Sequence, residues 1–344
     1  MWFTQKKSTE HNSPQNLLNE LASNGIALSI DELIRYQTKS SLINLAAAKS
    51  LHGKMSGNYL ARSKGRGMEF DEVRHYQNGD DIRAIDWRVT ARTGKTHTKL
   101  FREEIERPVL IATDLSANMF FGSQLLFKSV QAAHVAALVA WHAKSRGDRI
   151  GGVVFNQHSH SELKPRSRQQ GVLHYLHALV EHHASSAADN SEHLDRPQAR
   201  LAFAQNCTRL RQLAKPGSLV YLITDAFNLT DDAVRHLAHV SRHCELVVCL
   251  ISDPLEQQLP DSKEKISVTI TDGNSEADSD AESNGRQQLI LGDKALAEKY
   301  HQQAMNLNDA VEQKLTKAGA RLLHFCASEP LERQLHRGVA SWIR

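Results

Sequence analysis

The chain has 344 residues, of which 40% are hydrophobic and 24% are charged, and its formal net charge is +3. These values are typical of a globular protein with one large core or two ordinary ones. The charge is too small to require a nucleic-acid or membrane partner. No apolar run reaches the roughly 18 residues of a membrane-spanning helix, and the first residues lack the apolar core of a secretory signal. We therefore expect a cytoplasmic protein.

The predicted elements fall into three regions. Residues 1–16 are polar, and we expect a flexible N-terminus there. Residues 17–107 form a predicted N-terminal module. Its first part has helical periodicity, with Ser29 and Glu32 at the spacing of a capping box, and its second part is rich in glycine and in charges of both signs. Residues 108–344 form the third region.

Short apolar runs alternate with helical patterns throughout the third region. Strands are predicted for VLIATDL, RIGGVVFN, GSLVYLITDA, CELVVCLISDP and ARLLHFCAS, and an edge strand for HSHSELKP. Continuous apolar runs are typical of parallel strands that are covered on both faces. The pattern predicts an α/β fold with a doubly wound, mainly parallel sheet. The acidic stretch 271–288 lies between the runs ISVTI and QLILG, and we expect a disordered loop there.

Two aspartates end predicted strands of this sheet. Asp114 ends the first strand and is followed by Ser116 and Asn118, while Asp225 ends a later strand that we expect to be its neighbour. Ligands of open α/β sheets gather at the carboxyl ends of the strands, and Mg²⁺ prefers oxygen ligands. The four side chains therefore form a candidate Mg²⁺ site. Alternatively, Asp114 and Ser116 only cap the following helix.

Arginines alternate with acids in residues 57–107. This pattern favours bidentate arginine–carboxylate pairs, which could form either an internal network or a surface for a partner, or both. The charged residues of the pattern are Arg74, Arg83, Arg88, Arg92, Arg102, Asp80, Asp81, Asp86, Glu103 and Glu104. The candidate partner-binding residues are Arg74, Asp80, Asp81, Arg83, Asp86, Trp87 and Arg92.

The same segment closely resembles the bacterial family called domain of unknown function 58. The residues that match its G-x-G-x-E-F…R-x-Y…G-D-D-x-R-x-I-D-W…A-R signature are Gly65, Gly67, Glu69, Phe70, Arg74, Tyr76, Gly79, Asp80, Asp81, Arg83, Ile85, Asp86, Trp87, Ala91 and Arg92. The turn after the first strand is also similar to the D-x-S-x-S metal site of von Willebrand factor A domains. Asn118 replaces the second serine there, and residues 184–200 contain no threonine for the middle loop of such a site.

The resemblance implies a von Willebrand A-type domain with an N-terminal polar module. It further implies a non-enzymatic adaptor that accompanies MoxR-type AAA+ ATPases in the assembly or maturation of other proteins. Two alternatives remain. One is a nucleic-acid-binding protein that uses residues 54–107, although the interspersed acids argue against a phosphate track. The other is a metal-dependent hydrolase that uses Asp80, Asp81, Asp86, Asp114 and Asp225.

Overall fold

The computed structural model describes residues 13–42, 68–103, 106–189, 196–260, 266–271 and 286–337. The predicted flexible N-terminus up to residue 12, most of the predicted acidic loop, and Gly65 and Gly67 lie outside these ranges. In chain order the elements are α1 (Pro14–Leu21), α2 (Ile30–Ile34), β1 (Met68–His75), α3 (Trp87–Thr93), β2 (His97–Glu103), β3 (Pro108–Asp114), α4 (Lys128–Ser145), β4 (Arg149–Phe155), β5 (His160–Arg166), α5 (Arg168–Asp189), α6 (Arg196–Leu213), β6 (Leu219–Thr224), α7 (Asp231–Ser241), β7 (Glu245–Ser252), α8 (Pro254–Gln257), β8 (Ile266–Thr271), β9 (Arg286–Leu291), α9 (Lys294–Lys317), β10 (Arg321–Cys326) and α10 (Leu331–His336).

The backbone divides into two compact units. One consists of residues 45–106, and the other of residues 1–44 together with 107–344. The helices α1 and α2 therefore belong to the larger unit and not, as predicted, to one module with the polar segment. They pack against α4, where the indole N–H of Trp141 donates a hydrogen bond to the carbonyl of Leu33 at 3.0 Å.

A six-stranded sheet forms the centre of the larger unit, in the order β10–β7–β6–β3–β4–β5. Neighbouring strands are parallel except at one edge, where β5 runs antiparallel to β4. Helices flank the sheet, so the prediction of a mainly parallel, doubly wound type of α/β fold is confirmed at this level. The runs ISVTI and QLILG on either side of the acidic stretch lie in the antiparallel pair β8–β9.

The strands owe their burial to continuous apolar runs. The side chains of β3 are buried from Val109 to its end, and every residue of β6 is buried. At Gly152 the backbone of β4 lies so close to β3 that no side chain fits between them. A Cβ atom at this position would lie 1.9 Å from the carbonyl oxygen of Ile111. All four cysteines are free thiols, and only Cys326 among them is partly exposed. Within the described ranges, no helix has the length and apolar character to cross a bilayer.

The predicted start of the helix that follows β3 is wrong. The helix expected to begin near Ser123 begins at Lys128 instead. The backbone N–H of Ser123 donates to Asp253 at 2.9 Å, and its hydroxyl donates to the same carboxylate. These bonds hold the residues before α4 in a loop. The sequence could not show this, because Asp253 lies 130 residues further along the chain.

The smaller unit is built on the antiparallel pair β1–β2, with an irregularity between Phe70 and Glu72. The chain between the two strands contains a 3₁₀ turn (Ile82–Ala84) and α3. Gly94 ends α3 in the left-handed conformation with φ +70°, which glycine adopts without a steric penalty.

Candidate functional site

Asp114 and Asp225 follow neighbouring strands of the central sheet. Asp114 ends β3, Asp225 follows β6 directly, and the two strands pair in parallel up to Thr113 and Ile223. The chain continues from β3 to β4 on one side and later returns to β6 on the other, so strand order reverses between β3 and β6. Ligands of open α/β sheets bind at such a point. The predicted neighbourhood of the two strands is therefore confirmed.

Asp114 is completely buried, and both of its carboxylate oxygens accept hydrogen bonds. The hydroxyl of Thr224 donates to Oδ2 at 2.7 Å, and the backbone N–H of Ser116 donates to Oδ1 at 3.0 Å. Burial, and secondarily the charge of Asp225, raise the pKa of Asp114 to about 6. The carboxylate thus joins the ends of β3 and β6 from the interior of the protein, and it is not available at the surface.

Asp225 is paired with a lysine. The ammonium group of Lys128 lies 2.8 Å from Asp225 Oδ2 and also contacts the carboxylate of Glu256. The Lys128 side chain is 1% exposed and that of Asp225 is 6% exposed, whereas that of Glu256 is 39% exposed. Burial lowers the pKa of Lys128, but the two carboxylates outweigh it, and the net shift is upward. Lys128 is therefore charged at neutral pH.

Ser116 lies beside Asp114 and is hydrogen-bonded, whereas the side-chain nitrogen of Asn118 is not. The Ser116 hydroxyl is 3.5 Å from the side-chain nitrogen of Asn228. Asn118 is half-buried, and its side-chain nitrogen has no hydrogen-bond partner in the described part of the chain.

Ala226, directly after Asp225, has a left-handed backbone with φ +57°, which costs an alanine about 1 kcal/mol. Strain of this kind often marks functional turns.

These residues do not fit a hydrated Mg²⁺ ion, which keeps several waters when it binds to proteins. Asp225 is already neutralised by an ammonium group. The crevice at Asp114, Ser116 and Asn228 is too narrow to admit a water molecule. Within the described ranges, no group of three or more His, Cys, Asp or Glu side chains could hold a metal. The predicted set supplies suitable ligand types, but their packing leaves no space for the ion and its waters.

In the smaller unit, the predicted acidic residues organise the backbone. Asp80 forms an ion pair with Arg74 at 2.7 Å and accepts the backbone N–H of Gln77 at 2.9 Å. The Gln77 bond and the Arg74 pair hold the pKa of Asp80 below its usual value. Asp81 accepts the N–H of Arg83 at the start of the 3₁₀ turn. These two carboxylates therefore have internal partners.

Asp86 has the same role at the start of α3. Its carboxylate accepts the N–H groups of Arg88 and Val89 at 3.0 and 3.2 Å, as an N-cap does. The Val89 bond contributes most to a lowered pKa of Asp86, and the nearby Lys99 acts in the same direction. Of the predicted network, Arg74–Asp80 is present. Glu104 lies outside the described residues, and the side chains of Arg102 and Glu103 are not described.

The other predicted residues of this unit face solvent. Trp87 is 66% exposed, and Ile82, which was not among the predicted residues, is 65% exposed. Arg83, Arg88 and Arg92 are exposed, and within the described ranges their guanidinium groups have neither an ion pair nor a hydrogen bond. We call these five residues the tryptophan surface. It combines two large apolar side chains with three arginines that are unpaired within the described part of the chain.

Sequence reasoning missed three residues of the larger unit that hold the site together, namely Lys128, Thr224 and Glu256. Lys128 is the only charged residue in the apolar stretch LLFKSVQAAHVAALVAW, which was an available signal that it has an internal partner. Thr224 immediately precedes Asp225, and it supplies a hydroxyl to Asp114 although residues 184–200 contain no threonine. Glu256 has no comparable sequence signal.

Comparison with known proteins links the chain to proteins of bacteria. Uncharacterized protein Rv1480 of Mycobacterium tuberculosis (strain H37Rv) is 26% identical over 219 residues, covering 64% of this chain and 66% of that protein. Uncharacterized protein Mb1516 of Mycobacterium bovis has the same identity and coverage. The match thus spans slightly less than two thirds of the length of these relatives.

Two solved structures are also similar. The conserved hypothetical protein BatB from Bacteroides thetaiotaomicron aligns with a TM-score of 0.41 and 14% identity, over 69% of this chain and 98% of that one. An aerotolerance-related membrane protein from Bacteroides fragilis aligns with a TM-score of 0.30 and 16% identity, over 61% and 99%. The family described as "Protein of unknown function DUF58" matches residues 72–304. The chain belongs to this family.

Proposed function

We propose that this protein is a non-enzymatic adaptor that binds a MoxR-type AAA+ ATPase and acts with it in the assembly or maturation of other proteins. The MoxR-type partner is inferred from the resemblance of the signature segment to its family. The same resemblance implies that the α/β unit is a von Willebrand A-type domain. The observation that carries the proposal is the tryptophan surface, formed by Ile82, Arg83, Trp87, Arg88 and Arg92.

Its composition is suited to protein recognition. Tryptophan and arginine are the residues that most often dominate the binding energy of protein interfaces, and they are enriched there over other surface residues. Trp87 begins α3, and the cap at Asp86 fixes the backbone beside it. Within the described ranges the neighbouring arginines have no ion pair, so the complementary surface should be acidic with an apolar recess for the indole.

The carboxyl end of the sheet is the second proposed contact region. Asp114 is buried, so it would act by fixing the loops there rather than by touching a partner. Those loops present Phe121 and Phe227, which are 37% and 54% exposed. Asp225 accepts the backbone N–H of Phe227 at 2.9 Å, which positions one of these aromatic side chains directly.

Binding of purified chain to the MoxR-type ATPases encoded in the same genome tests the proposal. Biolayer interferometry should show saturable binding of the wild type. Trp87→Ala should weaken it about 30-fold, since the loss of an interface tryptophan typically costs about 2 kcal/mol. Leu307→Ala is a matched control, because Leu307 is an apolar residue that is 70% exposed on α9.

No binding of the wild type to any of these ATPases would contradict the proposal. Binding that Trp87→Ala and Leu307→Ala leave equally unchanged would remove the tryptophan surface from it. Single-stranded DNA should be tested in parallel, because exposed aromatic and arginine side chains also stack on bases. Tighter binding to DNA than to the ATPases, with a steep decrease in salt, would favour a nucleic-acid-binding function instead.

A further inference from the structure

We infer that Lys128 supplies, from within the chain, the cation at the carboxyl end of the sheet, so that this region is organised without a divalent metal ion. The ammonium group lies between two carboxylates, at 2.8 Å from Asp225 Oδ2 and in contact with Glu256. It is 1% exposed. A metal ligated by Asp225 would have to displace this group.

The position of Lys128 in the fold supports this assignment. Lys128 is the first residue of α4, which follows β3, while Asp225 follows β6 and Glu256 lies in α8 after β7. A single ammonium group therefore joins the segments that follow three adjacent strands of the sheet. In other proteins a metal ion that several loops coordinate joins those loops. Here the covalently attached ammonium group of Lys128 joins them.

Both carboxylates are held in place independently of the lysine. Asp225 Oδ1 accepts the N–H of Phe227, which leaves Oδ2 for the ammonium. Glu256 completes a capping box with Asp253 at the start of α8, and its Oε2 accepts the N–H of Asp253 at 3.1 Å. The acceptors are thus positioned before the lysine reaches them, as in a preorganised binding site.

The electrostatics of the cluster agree with a permanent cation. An isolated buried lysine tends to lose its proton, because desolvation disfavours the charged form. Here two carboxylates surround it, and removing the positive charge would leave Asp225 buried and unpaired. Such a cluster without its lysine has both the charge and the oxygen ligands to attract a cation from solution.

This inference deepens the proposed function, since it concerns the loops that carry Phe121 and Phe227, but its test needs no partner protein. The melting temperature is measured in MgCl₂ and in NaCl of equal ionic strength. The wild type should have the same melting temperature in MgCl₂ as in NaCl, and so should Lys128→Arg, whose own melting temperature is also independent of the salt. Lys128→Ala should melt lower in NaCl, and Mg²⁺ should raise its melting temperature by about 2 °C or more. Adding Asp225→Asn to this variant should abolish the rise.

Saturable Mg²⁺ binding by the wild type in calorimetry would overturn the inference, and this measurement remains decisive if Lys128→Ala does not fold. A folded Lys128→Ala protein that does not respond to Mg²⁺ would also overturn it, because the lysine would then not be acting as a cation in place of a metal. A merely structural loss at Lys128 would lower the melting temperature equally in both salts. The response to Mg²⁺ separates the two roles.

Discussion

The carboxylate of Glu32 lies 2.5 Å from Nε2 of His134, and both side chains are buried. Glu32 belongs to α2 and His134 to α4, so this contact fixes the N-terminal helices on the α/β unit. The Ser29 hydroxyl accepts the N–H of Glu32, as predicted for the start of α2. The Glu32 carboxylate, however, bonds to His134 across the core.

Replacing Glu32 by alanine should lower the free energy of unfolding by about 2 kcal/mol, because the buried Nε2 of His134 loses its hydrogen-bond partner. Urea denaturation measures this change. Asp31→Ala is a suitable control, since Asp31 is adjacent in α2 but exposed. Equal destabilisation by the two substitutions would show that the contact with His134 contributes nothing specific.

Asp114 should make the stability dependent on pH. Its pKa is raised from 3.8 to about 6 in the folded protein, so the folded state binds the proton more tightly than the unfolded state. The contribution of Asp114 is therefore fully present below about pH 4 and is lost as the pH rises through 6. The loss is on the order of 3 kcal/mol, because the pKa differs by about 2 between the unfolded and the folded protein.

Asp114→Asn should remove this dependence, because an amide does not titrate and its oxygen can still accept the N–H of Ser116. The measurement is the difference in melting temperature between the variant and the wild type at several pH values. That difference should be larger in favour of the variant at pH 7 than at pH 4. A difference that is the same at all pH values would contradict the prediction.

The strands of the sheet and the proximity of Asp114 to Asp225 could be predicted from the sequence. Continuous apolar runs are a local signal, and the carboxyl ends of neighbouring parallel strands necessarily meet at one edge. The pairing of Asp225 with Lys128 and Glu256 could not be predicted, since it depends on where three separate loops end in space. For the same reason, the single charge of Lys128 in an apolar stretch indicated an internal partner but did not identify Asp225 as that partner.

In the polar segment, the partners of the acidic residues could not be predicted from the sequence either. Alternating arginines and acids predict ion pairs, but the structure uses Asp81 and Asp86 to cap backbone N–H groups instead. Short acidic side chains satisfy either need equally well, and the choice depends on backbone geometry.

Asp86 should therefore support the tryptophan surface without contacting the partner. Asp86→Ser keeps a side-chain oxygen for the cap and should retain both the stability of the wild type and its affinity for the ATPase. Asp86→Ala removes the cap, and we expect it to lower the melting temperature and weaken binding together. Lost binding in a fully stable Asp86→Ser protein would identify the carboxylate as a contact residue.

Gly152→Ala should prevent folding or destabilise the protein by more than about 3 kcal/mol. Its backbone has φ +148°, and a Cβ atom would overlap the backbone of Ile111 in β3; two paired strands cannot separate to admit it without losing their hydrogen bonds. Gly217→Asn is the control, because Gly217 has φ +83° with open space around it. Soluble expression and circular dichroism distinguish the two variants, and a stable Gly152→Ala protein would contradict the close approach.

The outer strand β5 restricts how other chains can associate with this protein. Its exposed positions carry Glu162, Lys164 and Arg166, and Pro165 has no N–H to offer to another strand. Charges and proline on an edge strand discourage the addition of a further strand from a second molecule. The β5 edge is therefore protected against fibril-like extension of the sheet. A protein that binds the α/β unit is not expected to do so by adding a strand next to β5.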